Sequence, residues 1–480
     1  MVAVIILVFV VLQPWRTTRV TDGSEVFADY LGHVERLILA ENKSVDNSGQ
    51  AFVSIAYMMP IRREENDPVT DVAVLYQLQG AYLAQYWSNH PDGRPTFGSS
   101  RPLIKLLLAD SGPLGTAWKS AVDQLRHQAG REHLVAVAGL GFSLTTTQEA
   151  IATLDSSEIT MVASVLTSSG ITARNLWRVA PTNSDESAAA LKYIEKTPEW
   201  KSATREKPYT AYLVQDKAAR ESYSADLGEA YRELFPVDGT HRLLSAQGEF
   251  DSSKPAAGNA LDAQVNMICA IRPQAVLFAG RSRELELLIR SLAGRWCAQD
   301  VPVTIVTGDD ATLLNAPNGS NRNLLWQDRE NIKVFYSTLA TPLAWEKDPN
   351  FASESVSKKF GSCPQCFREL FGDTLNDGQA IMSYDAVVTV VKAARGVASP
   401  DNNFEPSVAA LPNGFYKINS TNPAPGASGL ICYQGEVGKS GHVPFNKAVP
   451  IIQLNPDGQR MLVDLSSRLG TPPSQTCPPS

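Results

Sequence analysis

Apolar runs of strand length alternate with helical stretches from about residue 50 to about residue 400. The apolar runs are Phe52–Met58, Leu103–Leu108, Leu134–Ala138, Ile159–Val165, Tyr209–Val214, Ala275–Ala279, Val301–Val306 and Ile332–Tyr336. Helical patterns between them include Thr116–His127, Thr146–Leu154, Ala225–Leu234 and Glu284–Ala293. Apolar runs bounded by turn residues are typical of buried parallel strands, and their alternation with helices indicates right-handed crossovers. The pattern therefore predicts an α/β fold whose function lies beyond the carboxyl ends of its strands.

The length of the chain predicts two lobes, because a single hydrophobic core rarely supports as many as 480 residues. Hydrophobic residues make up 43 % of the chain and charged residues 19 %, as in ordinary globular proteins. The formal net charge is −7, from 43 basic and 50 acidic residues. A general nucleic-acid-binding protein would need a basic face, so we expect no nucleic-acid partner.

The N-terminus carries an unbroken apolar run, Val2–Leu12, which ends before Pro14 and Trp15. The run is shorter than the roughly 20 residues of a bilayer span, and no basic residue precedes it as in a signal peptide. We interpret residues 1–15 as the end of a membrane-anchoring helix with Trp15 at the interface; the alternative is a core strand or helix. The polar residues 16–49 then form a juxtamembrane linker with a helical middle around Phe27–Leu39, and the globular part lies outside the cytoplasm.

Six cysteines fit an exported protein, in which an even number suggests disulfides. Cys363 and Cys366 are close enough in sequence to pair locally, and Cys269 and Cys297 flank one predicted strand. Pairing of these four would leave Cys432 with Cys477. A redox or zinc role for the Cys363–Cys366 motif is the alternative, but no second cysteine or histidine pair has matching spacing for zinc. The Pro- and Ser-rich end of the chain predicts a disordered tail over residues 466–480.

Motifs for catalysis or cofactor binding are incomplete in this sequence. Gly139-Leu-Gly141 follows a predicted strand, but the third glycine of a dinucleotide fingerprint is replaced by Leu144. Neither a phosphate-binding GxxxxGK[ST] loop nor an intact GxSxG nucleophile motif occurs, and no HExxH is present. We therefore predict that the protein is not an enzyme and holds no cofactor or metal.

Hydroxyl and acidic residues follow several predicted strands. Ser143 and Thr145 lie after Leu134–Ala138, and Thr167 with Ser168 follows Ile159–Val165. Free amide groups at helix N-termini hold anions such as a carboxylate, although capping is the commoner role of a single Ser or Thr.

Two further candidates follow later strands. Asp309 comes after Val301–Val306 and could pair with a ligand ammonium; a turn or cap is its alternative role. Tyr223 begins a helix after Tyr209–Val214 and could stack on a ligand or simply pack.

Several segments together resemble the type I periplasmic binding proteins, in particular the leucine/branched-chain amino-acid-binding branch and its membrane-attached actinobacterial versions. The resemblance covers roughly residues 50–460. It rests on Gly139–Ala150, Met161–Ser168, Trp177–Pro181, Ser184–Ile194, Val214–Asp216 with Tyr223-Ser224, Phe250–Pro255, Leu277–Gly280, Thr307–Asp309, Gly378–Ala386 and Gly426–Gly429 before Val449–Leu454.

The resemblance implies two Rossmann-like lobes with parallel sheets and a three-segment hinge near Val179, Ser337 and Gly429. Lobe 1 would comprise residues 50–178 and 338–429, and lobe 2 residues 179–337 and 430–465. The ligand would lie between the lobes, which close on it.

The resemblance also implies roles for the candidate residues. The Ser143–Thr147 loop and Thr167 would hold a ligand carboxylate, Asp309 would meet its ammonium, and Tyr223 would line the second lobe.

The expected function is that of an extracytoplasmic solute-binding protein that captures an amino acid or related carboxylate for an ABC-type transporter permease. The alternative is the ligand-sensing ectodomain of a membrane signalling protein, whose partner would be a signalling module. A third alternative is an enzyme or a ligand-free structural derivative of the fold.

Overall fold

The computed structural model describes residues 18–64, 67, 69–91, 100–297, 301–315, 331–372, 375, 377–398, 406–434, 442–455, 459–472 and 477. The strands are β1 (Val20–Thr21), β2 (Phe52–Met59), β3 (Leu103–Asp110), β4 (Leu134–Gly139), β5 (Thr160–Ala163), β6 (Leu176–Arg178), β7 (Tyr209–Asp216), β8 (His241–Leu243), β9 (Gly248–Phe250), β10 (Ala275–Ala279), β11 (Val303–Thr307), β12 (Ile332–Ser337), β13 (Ala424–Gly426), β14 (Gly429–Ile431), β15 (Val449–Leu454) and β16 (Arg460–Ser466). The helices are α1 (Gly32–Ser48), α2 (Asp71–Asn89), α3 (Trp118–Gln128), α4 (Thr145–Ser156), α5 (Asn183–Ile194), α6 (Pro198–Lys201), α7 (Ser222–Leu234), α8 (Ala257–Ile271), α9 (Ser282–Ala293), α10 (Leu343–Lys347), α11 (Glu354–Ser357), α12 (Phe367–Phe371), α13 (Gln379–Val397) and α14 (Leu411–Tyr416).

The first lobe is built on a sheet with the order β1-β3-β2-β4-β5-β6. Its strands pair in parallel, except that β1 runs antiparallel to β3. Along β2, Val53, Ile55 and Tyr57 enter the core on one face of the sheet, whereas Ala56 and Met58 enter the core on the other. Helices cover both faces, and the strand is therefore apolar at every position except Ser54.

Helices α2 and α13 pack closely on one face of this sheet. Gly80 of α2 permits the approach, because a Cβ atom there would lie 2.0 Å from the carbonyl oxygen of Ala380. A buried polar cluster ties the two helices to β2: the Tyr57 hydroxyl lies 2.6 Å from Ser383 Oγ of α13 and donates to Gln77 Oε1 of α2 at 2.9 Å.

The second lobe is built on a mixed sheet with the order β16-β15-β12-β11-β10-β7-β8, and β9 also pairs with β7. The strands from β8 to β12 are parallel to their neighbours, while β15 and β16 run antiparallel. Alternate residues of β7 again supply two cores, with Tyr212 and Val214 on one face and Ala211 and Leu213 on the other. The two sheets confirm the predicted α/β fold, with antiparallel strands added at the edges.

The chain passes between the two sheets three times. β6 ends in the first sheet at Arg178, and α5 then packs on β12, β15 and β16 of the second. β12 ends in the second sheet at Ser337, and the following residues return to α13 of the first lobe. His442 still bridges to Trp177 of β6, and the chain enters the second sheet at Val449. The third crossing therefore lies after His442, later than the predicted position near Gly429.

The segment predicted as a linker, residues 16–49, is folded onto the first lobe from residue 18 onwards. β1 extends the sheet, and α1 buries Val34 and Ile38 in the core. Polar residues on α1 are also buried: Asn42 donates to the carbonyl oxygen of Leu106 at 2.8 Å and accepts from its N–H at 3.0 Å. Because such polar residues bind the edge of β3, the composition of the segment resembles that of a linker although the helix is packed.

The predicted disordered tail over residues 466–480 also has structure at several positions. Ser466 ends β16, and Ser467 is fully buried. Arg468 pairs with Asp185 of α5 at 3.2 Å, and Cys477 is bonded to Cys432. The tail is therefore attached to the folded body.

Three disulfides join Cys269 to Cys297, Cys363 to Cys366 and Cys432 to Cys477, the pairs named in the sequence analysis. Their Cα atoms are 5.7, 5.1 and 6.6 Å apart, within the usual range for disulfides.

Within the described part of the chain, no helix has the length and apolar character needed to span a membrane. The predicted anchor over residues 1–15 lies outside the residues that the structure describes.

Candidate ligand-binding cleft

Loops at the carboxyl ends of the two sheets face each other and form direct contacts between the lobes. The carbonyl oxygen of Ser143, after β4, accepts from the N–H of Tyr223 at the start of α7 at 3.3 Å. The N–H of Ser169, after β5, donates to Asp226 Oδ2 of α7 at 2.8 Å. Parallel strands direct these loops to the same edge of each sheet, and the cleft between the lobes is where a ligand would bind.

Three of the predicted hydroxyl residues lie together on the first-lobe side of this cleft. Ser143 and Ser168 are buried, and the N–H of Ser168 donates to Ser143 Oγ at 3.1 Å. Thr167 is buried beside them, and its carbonyl oxygen accepts from the N–H of Asn183 at 2.8 Å. Thr145 is exposed at the first turn of α4, apart from this group.

Arg178, at the end of β6, holds the loop that carries Thr167 and Ser168. Its guanidinium is fully buried and donates to the carbonyl oxygens of Leu166, Ser168 and Ile171. Burial lowers the pKa of Arg178 to about 10, so the side chain stays charged at neutral pH. A single cation thus fixes the backbone of the candidate binding loop.

Arg281, after β10, lies at the centre of the contact between the lobes. Its Nε donates to Glu221 Oε2 at 2.9 Å and its Nη1 to Asp310 Oδ1 at 3.0 Å. The guanidinium lies over the ring of Tyr223 at 4.4 Å, and its Nη2 reaches the carbonyl oxygen of Ser143 at 3.4 Å. Arg281 is only 4 % exposed, so it occupies space between the predicted ligand residues of the two lobes.

Asp309 and Glu186 form a second buried acidic group beneath Tyr223. The N–H of Asp309 donates to Glu186 Oε2 at 3.1 Å, and Ser337 Oγ donates to the same oxygen at 2.6 Å. Burial and the neighbouring Asp310 raise the pKa of Asp309 to about 7. Burial and the charge of Asp309 also raise the pKa of Glu186 well above its usual range. At neutral pH the pair therefore carries less negative charge than two ordinary carboxylates.

Tyr223 is buried against both acidic groups. The N–H of Asp310 donates to its hydroxyl oxygen at 3.4 Å. Burial raises the pKa of Tyr223, and the charges of Asp309 and Glu186 act in the same direction, so the phenol remains protonated. The residue thus lines the second-lobe side, with Arg281 covering its ring.

A cavity of about 260 Å³ opens beside Arg281. Arg63 and Thr70 line it from the first lobe, and Arg220, Ser252 and Leu313 line it from the second. Four arginines and four acidic residues contribute to the wall: Arg63, Arg220, Arg281, Arg283, Asp67, Glu221, Glu284 and Glu286. The balanced charge suits a polar or zwitterionic molecule better than a large apolar one.

Sequence reasoning did not identify Arg281, Glu221 or Glu186 as site residues. A usable signal existed for Arg281, because it follows a predicted strand and must lie at the same sheet edge as Asp309. Glu186 gives no comparable signal, since it reaches the cleft only through the crossing of the chain before α5.

The sequence matches no family model and no curated protein. Solved structures do match the fold. A substrate-binding protein of an ABC transporter from Aeropyrum pernix superposes with a TM-score of 0.61 at 15 % identity, over 89 % of this chain and 97 % of that protein. A second, from Desulfitobacterium hafniense in complex with Leu, has a TM-score of 0.58 at 16 % identity, over 86 % of this chain and all of that protein (100 %). A fatty acid ABC transporter substrate-binding protein from Thermomonospora curvata has a TM-score of 0.56 at 13 % identity, over 89 % and 96 % of the two chains.

These matches define the architecture of the chain. It has the two-lobed α/β fold of the substrate-binding proteins of ABC transporters. More particularly, it is similar in fold to the type I periplasmic binding proteins.

Proposed function

We propose that this chain is an extracytoplasmic solute-binding protein that captures a small polar ligand between its lobes for an ABC-type transporter permease. The observation that carries the proposal is the cavity of about 260 Å³, lined from both lobes by four basic and four acidic side chains. Amino acids and related carboxylates fit such a wall, because each of their charges would meet an opposite one. The Leu complex of the Desulfitobacterium protein supports the same ligand class. Binding and release need no catalytic step, and we propose none.

Lobe closure on the ligand is part of this proposal. Ser143, Thr167 and Ser168 on one lobe, with Tyr223 and Asp309 on the other, lie where the two lobes meet. The ligand would occupy the cavity beside Arg281, and these residues would support the closed arrangement around it.

Thermal unfolding of the full-length chain against a panel of amino acids, short peptides and carboxylates tests the ligand class. A ligand at about 100 times its dissociation constant should add roughly 2.7 kcal/mol to the free energy of unfolding. Arg220→Ala, which removes a charge from the cavity wall, should reduce the shift. Arg131→Ala should not, because Arg131 is exposed and paired with Glu132 at the opposite end of β4. Absence of a shift with every compound, or an equal shift in both variants, would refute a ligand site in this cavity.

The permease partner is tested in living cells. Deletion of the gene should abolish high-affinity uptake of the ligand found in the panel, and restoring the gene should restore uptake. Unchanged uptake together with tight binding would favour the sensing ectodomain instead.

We also propose that residues 1–15 hold the protein at a membrane, with the globular part outside the cytoplasm. The unbroken apolar run Val2–Leu12 and the interfacial type of Trp15 support this anchor. Three disulfides support an oxidising compartment. Detergent phase separation should place the full chain in the detergent phase and a chain without residues 1–15 in the aqueous phase. Equal partitioning of the two would contradict an anchor.

A further inference from the structure

The surroundings of the Arg281 side chain are those of a bound guanidinium ligand. Two carboxylates, Glu221 and Asp310, pair with it at 2.9 and 3.0 Å from the second lobe. The ring of Tyr223 lies 4.4 Å from the guanidinium carbon and the ring of Phe142 lies 5.8 Å from it. The carbonyl oxygen of Ser143 completes the set from the first lobe. Carboxylates and aromatic faces are the groups that recognise guanidinium ions.

We propose that the inner part of the cleft is a guanidinium-recognition site that the chain fills with its own Arg281, which makes Arg281 the residue that determines ligand specificity. The inference rests on the proposed function in one respect only, namely that the cleft is the ligand site. A free ligand is then confined to the outer cavity, whose inner wall is Arg281. Because Arg281 already pairs with Glu221 and Asp310, these two carboxylates are less available to a ligand ammonium.

The groups around Arg281 are positioned by contacts that do not involve it. Asp310 Oδ2 accepts from the N–H of Ser282 at 2.6 Å, and the N–H of Asp310 donates to the hydroxyl of Tyr223. The N–H of Tyr223 in turn donates to the carbonyl oxygen of Ser143. The N–H of Glu221 donates to the carbonyl oxygen of Ala218 at 3.0 Å. Removal of the Arg281 side chain should therefore leave a preformed cavity whose two buried carboxylates have lost their close counter-charge. Arg220 Nε remains 3.9 Å from Glu221 Oε1, and Asp310 loses the partner described here.

Buried carboxylates without a counter-charge are strongly destabilising, and a small cation of the right shape can restore the lost charge. Methylguanidinium has the shape and charge of the end of the arginine side chain. It should bind to the Arg281→Ala protein and leave the wild type unaffected, since the site is already occupied there.

The test is a thermal melt of full-length Arg281→Ala titrated with methylguanidinium chloride. Arg290→Ala is the matched control, because Arg290 lies on the same helix, is exposed, and pairs with Glu286 one turn away. We expect a lower melting temperature for Arg281→Ala and a saturable rise of several degrees with the salt. Wild type and Arg290→Ala should show no rise. An equal response of all three proteins, or no response of Arg281→Ala, would overturn the proposal.

If the Arg281→Ala protein accumulates in an unfolded form, its refolding is measured instead of its thermal melt. Refolding in the presence of methylguanidinium must restore soluble protein, and failure at every concentration would equally overturn the proposal. This result is independent of the wild-type ligand panel. Rescue of Arg281→Ala without any ligand for the wild type would support the guanidinium site and reject the solute-binding function. A ligand for the wild type without rescue of Arg281→Ala would support the solute-binding function and overturn the guanidinium site.

Discussion

The bond between Ser169 and Asp226 permits a quantitative prediction about lobe closure. Ser169 lies in a first-lobe loop and Asp226 on α7 of the second lobe, and their atoms are 2.8 Å apart. The bond can exist only when the lobes are closed. Asp226→Ala removes it without altering the described wall of the cavity, so the substitution should change the closing equilibrium rather than the ligand contacts.

The size of the effect follows from the charge and burial of the carboxylate. A hydrogen bond to a charged group is worth about 1.5–3 kcal/mol. Burial raises the pKa of Asp226, which shows that desolvation offsets part of this gain, so we take the lower end of the range. A loss of about 1.4 kcal/mol shifts an equilibrium tenfold. If the ligand binds the closed state and the open state predominates without it, apparent affinity should fall by about the same factor.

Isothermal titration of the best ligand from the panel measures this change. Glu229→Ala is the control, since Glu229 lies one turn further along α7 and forms a surface pair with Arg232 at 3.4 Å, which is worth little. Asp226→Ala should bind about ten times more weakly than both wild type and Glu229→Ala. Equal affinities of the three proteins would refute the reasoning that this bond forms part of ligand-driven closure.

Three further predictions concern stability. Gly80→Ala should destabilise the protein by about 2–3 kcal/mol in denaturant melts, because its Cβ would overlap the backbone of α13. Gly258→Ala is the control: its Cβ would meet nothing within 4 Å, so it should be neutral or stabilise by up to about 1 kcal/mol. Equal effects of the two substitutions would contradict the close packing of α2 on α13. The pKa of Asp309 is raised to about 7 by burial and Asp310, above about 3.9 in the unfolded chain, so its contribution to stability is lost as pH rises through about 7. Melts between about pH 5 and 8 should show a smaller loss for Asp309→Asn than for wild type, and parallel curves would argue against the raised pKa. The double substitution Cys432→Ser and Cys477→Ser removes a disulfide with a sequence separation of 45. It should lower the free energy of unfolding by about 4 kcal/mol. An unchanged melting temperature would show that the tail is not held by this bond.

The strands of the core were predictable because their apolar runs are bounded by clear turn residues. β10 has the predicted bounds, Ala275–Ala279, between Pro273 and Gly280. β5 is shorter than its apolar run, because Ile159 and Val165 are buried in the cores on the two faces of the sheet but lie outside the residues that pair with β4.

The packed N-terminal helix and the centre of the cleft were harder to predict, for two different reasons. A helix around Phe27–Leu39 was predicted, but the packing of α1 on the first lobe was missed, because polar residues such as Asn42 bind the sheet edge instead of facing solvent. Arg281 lies after a predicted strand, so its position at the cleft could be foreseen. Its partner Glu221 is 60 residues away in sequence, and that pairing depends on the tertiary fold. Hydrophobic periodicity thus predicts the sheets and helices of this protein, whereas the charge pairing in the cleft depends on contacts between segments that are distant in sequence.

The central claim is that a small polar ligand binds between the two lobes. Hydrogen–deuterium exchange of the full-length chain, with and without the best ligand of the panel, tests it most directly because it locates the protected amides. We predict protection in both lobes, around Ile61–Arg63 and around Arg281–Glu284, which line or adjoin the cavity. Protection confined to one lobe, or to a surface away from these segments, would contradict the account.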